Sequence, residues 1–273
     1  MGLSEPKNYE QHAGKAFSRQ SSVFDSVYSN NPIIIYKRQR VRDHVNSYLK
    51  DHSTILELNA GTGEDAVYFA QNGHTVHATD ISAAMLERLD QKVRTNGLMD
   101  QISTEQCSFN NLNDLKDKGP YDMIFSNFAG LNCTGDLKTV LGSFDLLLKK
   151  NGIVTLVVMP SFSIWELLFA FQGKFKTAFR RLNSKNGVKA HVEGVYFTCW
   201  YYNPSYIINA LKKDFVLLDI EGLCTIVPPS SFEHFSEKRP RLFAFLKNWE
   251  SRLKSSLPWK YIGDYYIISL RKK

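Results

Sequence analysis

Between Thr54 and Met159 the sequence alternates short apolar runs with helix-like stretches, and this rhythm limits the fold more than any other feature. The runs are Thr54 to Leu58, "HTVHATD", "ISTEQC", "YDMIFSN" and "IVTLVVM". A helix begins near Gly63. "SAAMLERLDQKVRTNG" reads as a helix capped by Ser82 and ended near Gly97, and "DLKTVLGSFDLLLKKNG" as one stopped at Asn151-Gly152. Strands alternating with helices predict a parallel, doubly wound sheet. Later, "PSYIINALKK" looks helical, "FVLLDIEGL" reads as a sixth strand and "DYYIISLRK" as a seventh. A last strand reached through a hairpin-like excursion should run antiparallel. The expected fold is therefore α/β: a doubly wound, seven-stranded, mostly parallel sheet with an antiparallel last strand, plus lid insertions.

The pieces divide into N-terminal cap helices over 1–50, a ligand-binding core over 51–160, a lid insertion over 161–202, and the remainder of the core over 203–273, with a helical insertion at 228–258. Residues 1 to 30 are polar and poorly periodic. Asn31 and Pro32 mark a helix start before "IIIYKRQRVRDHVNSYL". A chain of 273 residues has room for such a core and lid, and 43% apolar with 22% charged residues is an ordinary globular composition. A net charge of +7 favours acidic partners without specifying nucleic acid. Cys107, Cys133, Cys199 and Cys224 form no CxxC pair, so no metal site is expected, and their scatter suits a reducing, cytoplasmic setting. Only Gly152 to Phe171 resembles a membrane span, and Pro160, two serines and Glu166 interrupt it. No transmembrane segment is expected.

"ILELNAGTGEDA", Ile55 to Ala66, is a strand entering a glycine turn and a helix, the ligand crevice of such sheets. No lysine follows Gly63, which removes a P-loop. Gly61-x-Gly63-x-x-Ala66 satisfies a relaxed dinucleotide fingerprint, and Asp80 lies 17 residues beyond Gly63. Three details favour a different nucleoside. Glu57, at the strand end, would repel a pyrophosphate but suit an ammonium. "SFNNL" could flank an adenine. A seventh strand fits one sheet family in particular.

The segments "LELNAGTG", "ATDIS", "CSFNNL", "YDMIFSNF" and "LLLKKNGIVTLVV" together resemble a class I S-adenosylmethionine-dependent methyltransferase of the Rossmann-like superfamily. The resemblance is strong from Thr54 to Met159 and weaker to the terminal strand. It departs at Asn59, where the family usually has glycine. Asparagine tolerates the left-handed backbone this turn needs, and its amide either faces the ligand's methionine part or only forms the turn. The resemblance implies that S-adenosylmethionine is the cofactor and S-adenosylhomocysteine the product. It implies that Ala60, Gly61 and Gly63 give the backbone close approach, that Glu57 sits by the methionine moiety, and that Asp80 accepts the ribose hydroxyls. Ile81 and Met85 would pack on the adenine, with Ser108 and Phe109 at its edge. Asn127 and Phe128 would line the sulfonium side. Plain core packing remains the alternative for Met85, and a helix cap for Asp80.

In this family, additions at the amino terminus and after strand five choose the substrate, and both exist here. "FDSVYSNNPIIIYKRQR" could fold over the cofactor, with Tyr28 and Arg40 as contacts or as part of a solvated face. In "SIWELLFAFQGKFKTAFRRL", residues Ile164, Leu168, Phe171, Phe175 and Phe179 make one helical stripe. "AHVEGVYFTCWYYNP" would form a strand or hairpin wall. The whole of 161–200 is expected above the sulfonium. His191 is the first candidate base, His234 the second, and Tyr28 a candidate to orient the substrate. The reading that results is O- or N-methylation of a small, hydrophobic or aromatic molecule, with no specific nucleic acid as partner and room for a homodimer. The alternatives are an RNA methyltransferase, a non-catalytic S-adenosylmethionine-binding protein and, disfavoured by Glu57, a nicotinamide-dependent oxidoreductase.

Overall fold

The structure, a computed structural model, describes residues 7–28, 30–182, 184, 186–232 and 234–273. Two helices, α1 (Lys7–Tyr28) and α2 (Pro32–Asn46), precede the alternating core of β1 (Thr54–Leu58), α3 (Glu64–Gln71), β2 (Thr75–Asp80), α4 (Ala83–Thr95), β3 (Ile102–Gln106) and β4 (Tyr121–Ser126). Two short helices, α5 (Leu137–Gly142) and α6 (Phe144–Leu147), lead into β5 (Leu148–Val158). The chain continues through α7 (Ile164–Leu168), α8 (Phe175–Ala178), a hairpin of β6 (Val188–Val192) and β7 (Val195–Cys199), and α9 (Pro204–Leu211). It closes with β8 (Phe215–Leu223), α10 (Phe235–Lys238), α11 (Pro240–Leu253) and β9 (Tyr265–Lys272).

The sheet runs β3-β2-β1-β4-β5-β9-β8. β1 to β5 pair in parallel, while β9 is antiparallel to both β5 and β8. The strand order reverses between β1 and β4, which opens a crevice at their carboxyl ends. Ile55, Leu56, Ile124, Phe125, Leu156 and Ile267 are fully buried, because helices cover both faces of these central strands. Helix α4 starts where the Ser82 hydroxyl accepts from the Met85 amide, and it buries Met85, Leu86, Leu89 and Val93 along one face. Helix α2 starts in the same way, with the Asn31 side chain accepting from the Ile33 and Ile34 amides.

The amino-terminal segment, polar and poorly periodic in sequence, is a helix of 22 residues, and small residues such as Ala13 and Ala16 let it lie close to the core. One local expectation fails. The predicted single helix over 164–179 is broken into α7, a 3-10 turn at Phe169–Gln172 and α8, with Gly173 at φ +73° between them. Its stripe is not sealed, since Phe171 and Phe175 are exposed. The aromatic segment forms the expected hairpin, which packs on α1 through Phe17–Phe197, while Trp200 just beyond it meets Tyr9. Among the described residues no helix is long and apolar enough to cross a membrane.

Candidate functional site

The crevice is a cleft holding about 820 Å³ of empty space, part of it open to solvent. Its floor is the β1 turn. Asn59, Gly61 and Gly63 all have positive φ, at +48°, +57° and +79°. A Cβ on Gly61 would meet nothing within 4 Å, so this glycine leaves the backbone bare toward the cleft. The Asn59 amide faces β4 instead: its Oδ1 accepts from the Ser126 hydroxyl at 2.6 Å and its Nδ2 donates to the Asn127 carbonyl at 3.0 Å. Asparagine therefore keeps the turn and ties it to the loop after β4.

Three carboxylates sit here in different electrostatic states. Asp65, opening α3, is gripped by Arg38 at 2.6 Å and Arg42 at 2.8 Å and accepts from Asn127 Nδ2 at 2.8 Å. Burial pushes its carboxyl up, but the two guanidiniums outweigh that and hold it low. Asp80, ending β2, accepts the Gly61 amide at 2.9 Å and the Ser82 amide at 2.8 Å. Burial still raises it. Glu57 is 3% exposed, and its Oε2 has no hydrogen-bond partner among the described residues. Burial, and then the charge on Asp65, push Glu57 well above the usual carboxylate range. A buried acceptor left bare in a cleft wall suits a ligand that brings a positive charge.

The roof is α1. Glu10, Ala13, Gly14, Phe17 and Phe24 face the cleft at helical spacing. Glu10 spans the far end: its carboxylate accepts from the Ser108 hydroxyl, from Asn110 Nδ2 at 2.6 Å and from the Phe109 amide at 3.2 Å. Burial raises its carboxyl as well. Further along, Asp25 accepts from Thr62 at 2.6 Å and pairs with Lys92 at 2.8 Å. The remaining wall is Phe128, whose ring lies 4.7 Å from the Arg38 guanidinium.

Residues 55–152 match the model of a methyltransferase domain. That stretch is similar to a methyltransferase domain, and it holds the β1 turn, Asp80 and the β4 strand that build the cleft. The chain is 25% identical over 240 residues to an uncharacterized protein of Methanocaldococcus jannaschii, covering 86% of each chain. It is 27% identical over 103 residues to the tRNA 5-carboxymethoxyuridine methyltransferase of Escherichia coli, covering 38% of this chain and 39% of that one. Its fold is similar to the structure of Burkholderia thailandensis 1,6-didemethyltoxoflavin-N1-methyltransferase with bound 1,6-didemethyltoxoflavin and S-adenosylhomocysteine. There the TM-score is 0.59 at 15% identity, over 100% of this chain and 92% of that one.

Of the residues expected at the cofactor, Glu57, Asn59, Ala60, Gly61, Asp80, Ile81, Met85, Phe109, Asn127 and Phe128 line the cleft. Gly63 and Ser108 do not. Gly63 faces α4, where a Cβ would stand 2.0 Å from Leu89 Cδ1. Ser108 serves as a partner of Glu10. The candidate bases need correction. His191 is exposed on the hairpin, its ring 4.6 Å from that of Tyr196, and His234 is exposed and paired with Glu237. Neither lines the cleft, and no histidine does among the described residues. The side chain of Tyr28 lies outside the described residues. Arg40 points away from the cleft to Glu221, at 2.9 Å, and Arg38 takes the cleft position. Two residues apart on a helix means nearly opposite faces. Among its described residues the 161–200 insertion contributes none to the lining, and the segment above the cleft is α1.

The sequence reading missed Glu10, Gly14, Phe17, Phe24, Arg38, Asp65 and Cys133 as cleft residues. Asp65, two residues past the last turn glycine, carried a usable signal. The α1 residues carried one only in their spacing of three and four.

Proposed function

We propose that this protein transfers the methyl group of S-adenosylmethionine to an oxygen or nitrogen of a small, hydrophobic or aromatic acceptor. The observation that carries the reading is Glu57 Oε2, a buried carboxylate oxygen with no partner among the described residues, in a cleft that Phe17, Phe24, Phe109 and Phe128 also line. Glu57 would hold the ligand's ammonium. The Asp80 carboxylate would take the ribose hydroxyls through charge-assisted bonds, with Gly61 giving close approach. Ile81, Met85 and Phe109 would enclose the adenine under α1, and Asn127 and Phe128 would face the reacting methyl. The cofactor supplies an electrophilic methyl bound to a sulfonium. The chain's part is to align the acceptor and keep water out, which accounts for much of the rate in such displacements. With no histidine in the described cleft wall, proton removal by an imidazole is not part of the reading.

An RNA acceptor is the second reading, supported by the tRNA-modifying relative and the +7 charge. The aromatic, largely apolar cleft favours a small molecule instead. Titration calorimetry with S-adenosylmethionine, S-adenosylhomocysteine and NADH separates the cofactor classes. The two sulfur ligands should bind, and NADH far more weakly. Asp80→Ala should cost about 1.5–3 kcal/mol of that affinity with the fold intact by circular dichroism. NADH binding at micromolar level with no response to S-adenosylmethionine would overturn the reading. RNA binding that persists at about 200 mM salt would favour the second one.

A further inference from the structure

Helix α11 carries two apolar stripes. Phe243 and Leu246 face inward and pack with Ile33, Cys224 and Val227. Leu242, Phe245 and Trp249, at spacings of three and four, are exposed, and the last two rings lie 6.0 Å apart, tilted by 55°. This second stripe is left partly open to solvent. The insertion around α7 and α8 also sends aromatic rings outward, with Phe171 87% exposed and Phe175 60%.

These rings stand on braced backbone. Phe232 meets Trp165 at 5.4 Å and stacks on Phe169 at 5.9 Å, which joins the two insertions. Glu250 of α11 accepts the amides of Cys224, Thr225, Ile226 and Val227 at 2.8–3.0 Å, which fixes the helix to the end of β8. Arg181 bridges Glu166 at 2.8 Å and Asp264 at 2.6 Å beneath the first insertion.

The charge is concentrated in the same two segments. Residues 161–182 hold four basic and one acidic residue, and residues 228–261 seven basic and three acidic. Arg180, Arg181 and Lys254 pair with Glu166, Asp264 and Glu221, so the surface charge comes from Lys174 and Lys176 in the first segment and six other basic residues in the second. Exposed rings and leucines flanked by lysine and arginine match a surface with an anionic rim and an apolar interior. Leu168, Leu182, Leu242 and Leu257 are among the exposed residues. Leucine cannot stack on a base as an aromatic ring does, so a single-stranded nucleic acid would leave much of this surface unused. We propose that the two insertions form a peripheral docking surface for an anionic lipid bilayer.

The full chain is tested by flotation with vesicles of equal parts phosphatidylcholine and phosphatidylglycerol, and with vesicles of phosphatidylcholine alone. Strong partitioning is expected only with the anionic vesicles, weakening as salt is raised. The paired substitutions F245S/W249S and F171S/F175S should each lower the partition coefficient by about tenfold or more, while calorimetry with S-adenosylmethionine stays unchanged. No partitioning into anionic vesicles, or partitioning that neither pair of substitutions alters, would overturn the proposal. So would salt-resistant binding of single-stranded RNA that the serine variants lose. None of these outcomes bears on the cofactor reading, which rests on the cleft.

Discussion

Glu57 shows how a residue can be costly to the free protein and useful to the complex. Both local guanidiniums are spent on Asp65, so Glu57 is left desolvated beside a like charge. Replacing it by glutamine keeps the shape and removes the charge. Glu57→Gln should raise the stability of the free protein at neutral pH by about 1–3 kcal/mol, the usual cost of an unsatisfied buried group, and lower affinity for S-adenosylmethionine by a similar amount. Thermal melts and titration calorimetry on the same variant check both halves. A melting point that falls would mean that Glu57 is paired in the free protein. Residues of this kind were legible in the sequence because they end strands or form turns, where backbone geometry alone fixes the direction of the side chain. Asn59 was half legible: its left-handed turn follows from its type, but its bonds to Ser126 and Asn127 depend on a strand some 67 residues away. Histidine roles were not legible, since whether an imidazole meets a cleft or solvent is settled by tertiary packing.

The same contrast holds for the elements. The strands follow from period and composition, and β1 and β8 have the expected boundaries. Helix α1 was expected only as part of a helical cap, and its extent was hidden because it buries alanine, glycine and a glutamate instead of a broad apolar stripe. The stripe over 164–179 misled because Gly173, in a left-handed conformation, ends one short helix before the next begins. Roofing by α1 predicts a kinetic consequence: the helix should tighten over a ligand bound beneath it and slow its escape. Amide exchange over residues 7–28 should therefore slow when S-adenosylmethionine binds. Gly14 is a close point of contact, where a Cβ would stand 2.7 Å from Ile81 Cγ2. Isoleucine is stiff about χ1, so Gly14→Val should push α1 away, at about 1–3 kcal/mol of stability. Cofactor dissociation, followed by stopped-flow fluorescence, should speed up by about tenfold, since a loss of 1.4 kcal/mol is one decade. An unchanged off-rate would mean that the ligand leaves by another route.

Across the whole molecule, two sets of carboxylates respond oppositely to pH. Far from the cleft, Glu221 clamps α2 to the last strands, binding Arg40 and His44 at 2.9 Å and Lys254 at 2.7 Å, while His44 reaches Ser269 at 2.8 Å. Burial alone would raise Glu221, but His44, Lys254 and Arg40 hold it down at about 2. A depressed carboxylate contributes stability that is present above its unfolded value near 4.5 and lost as pH falls toward 2, on the order of 3 kcal/mol here. Glu10, Glu57 and Asp80 are raised. Their contribution is present below their unfolded values and lost as pH climbs through the folded ones. The free protein should thus be most stable on the acid side of neutrality. Glu221→Gln should remove most of the loss on its acid limb and weaken the protein at neutral pH. An ammonium against Glu57 and hydroxyls against Asp80 favour their ionised forms, so S-adenosylmethionine binding should release protons and tighten as pH rises. Calorimetry in buffers of different ionisation enthalpy measures that release directly. Affinity that is flat from about pH 5 to 8, with no proton released, would mean that both carboxylates are already ionised in the free protein, and the cost ascribed to Glu57 would have to be sought elsewhere.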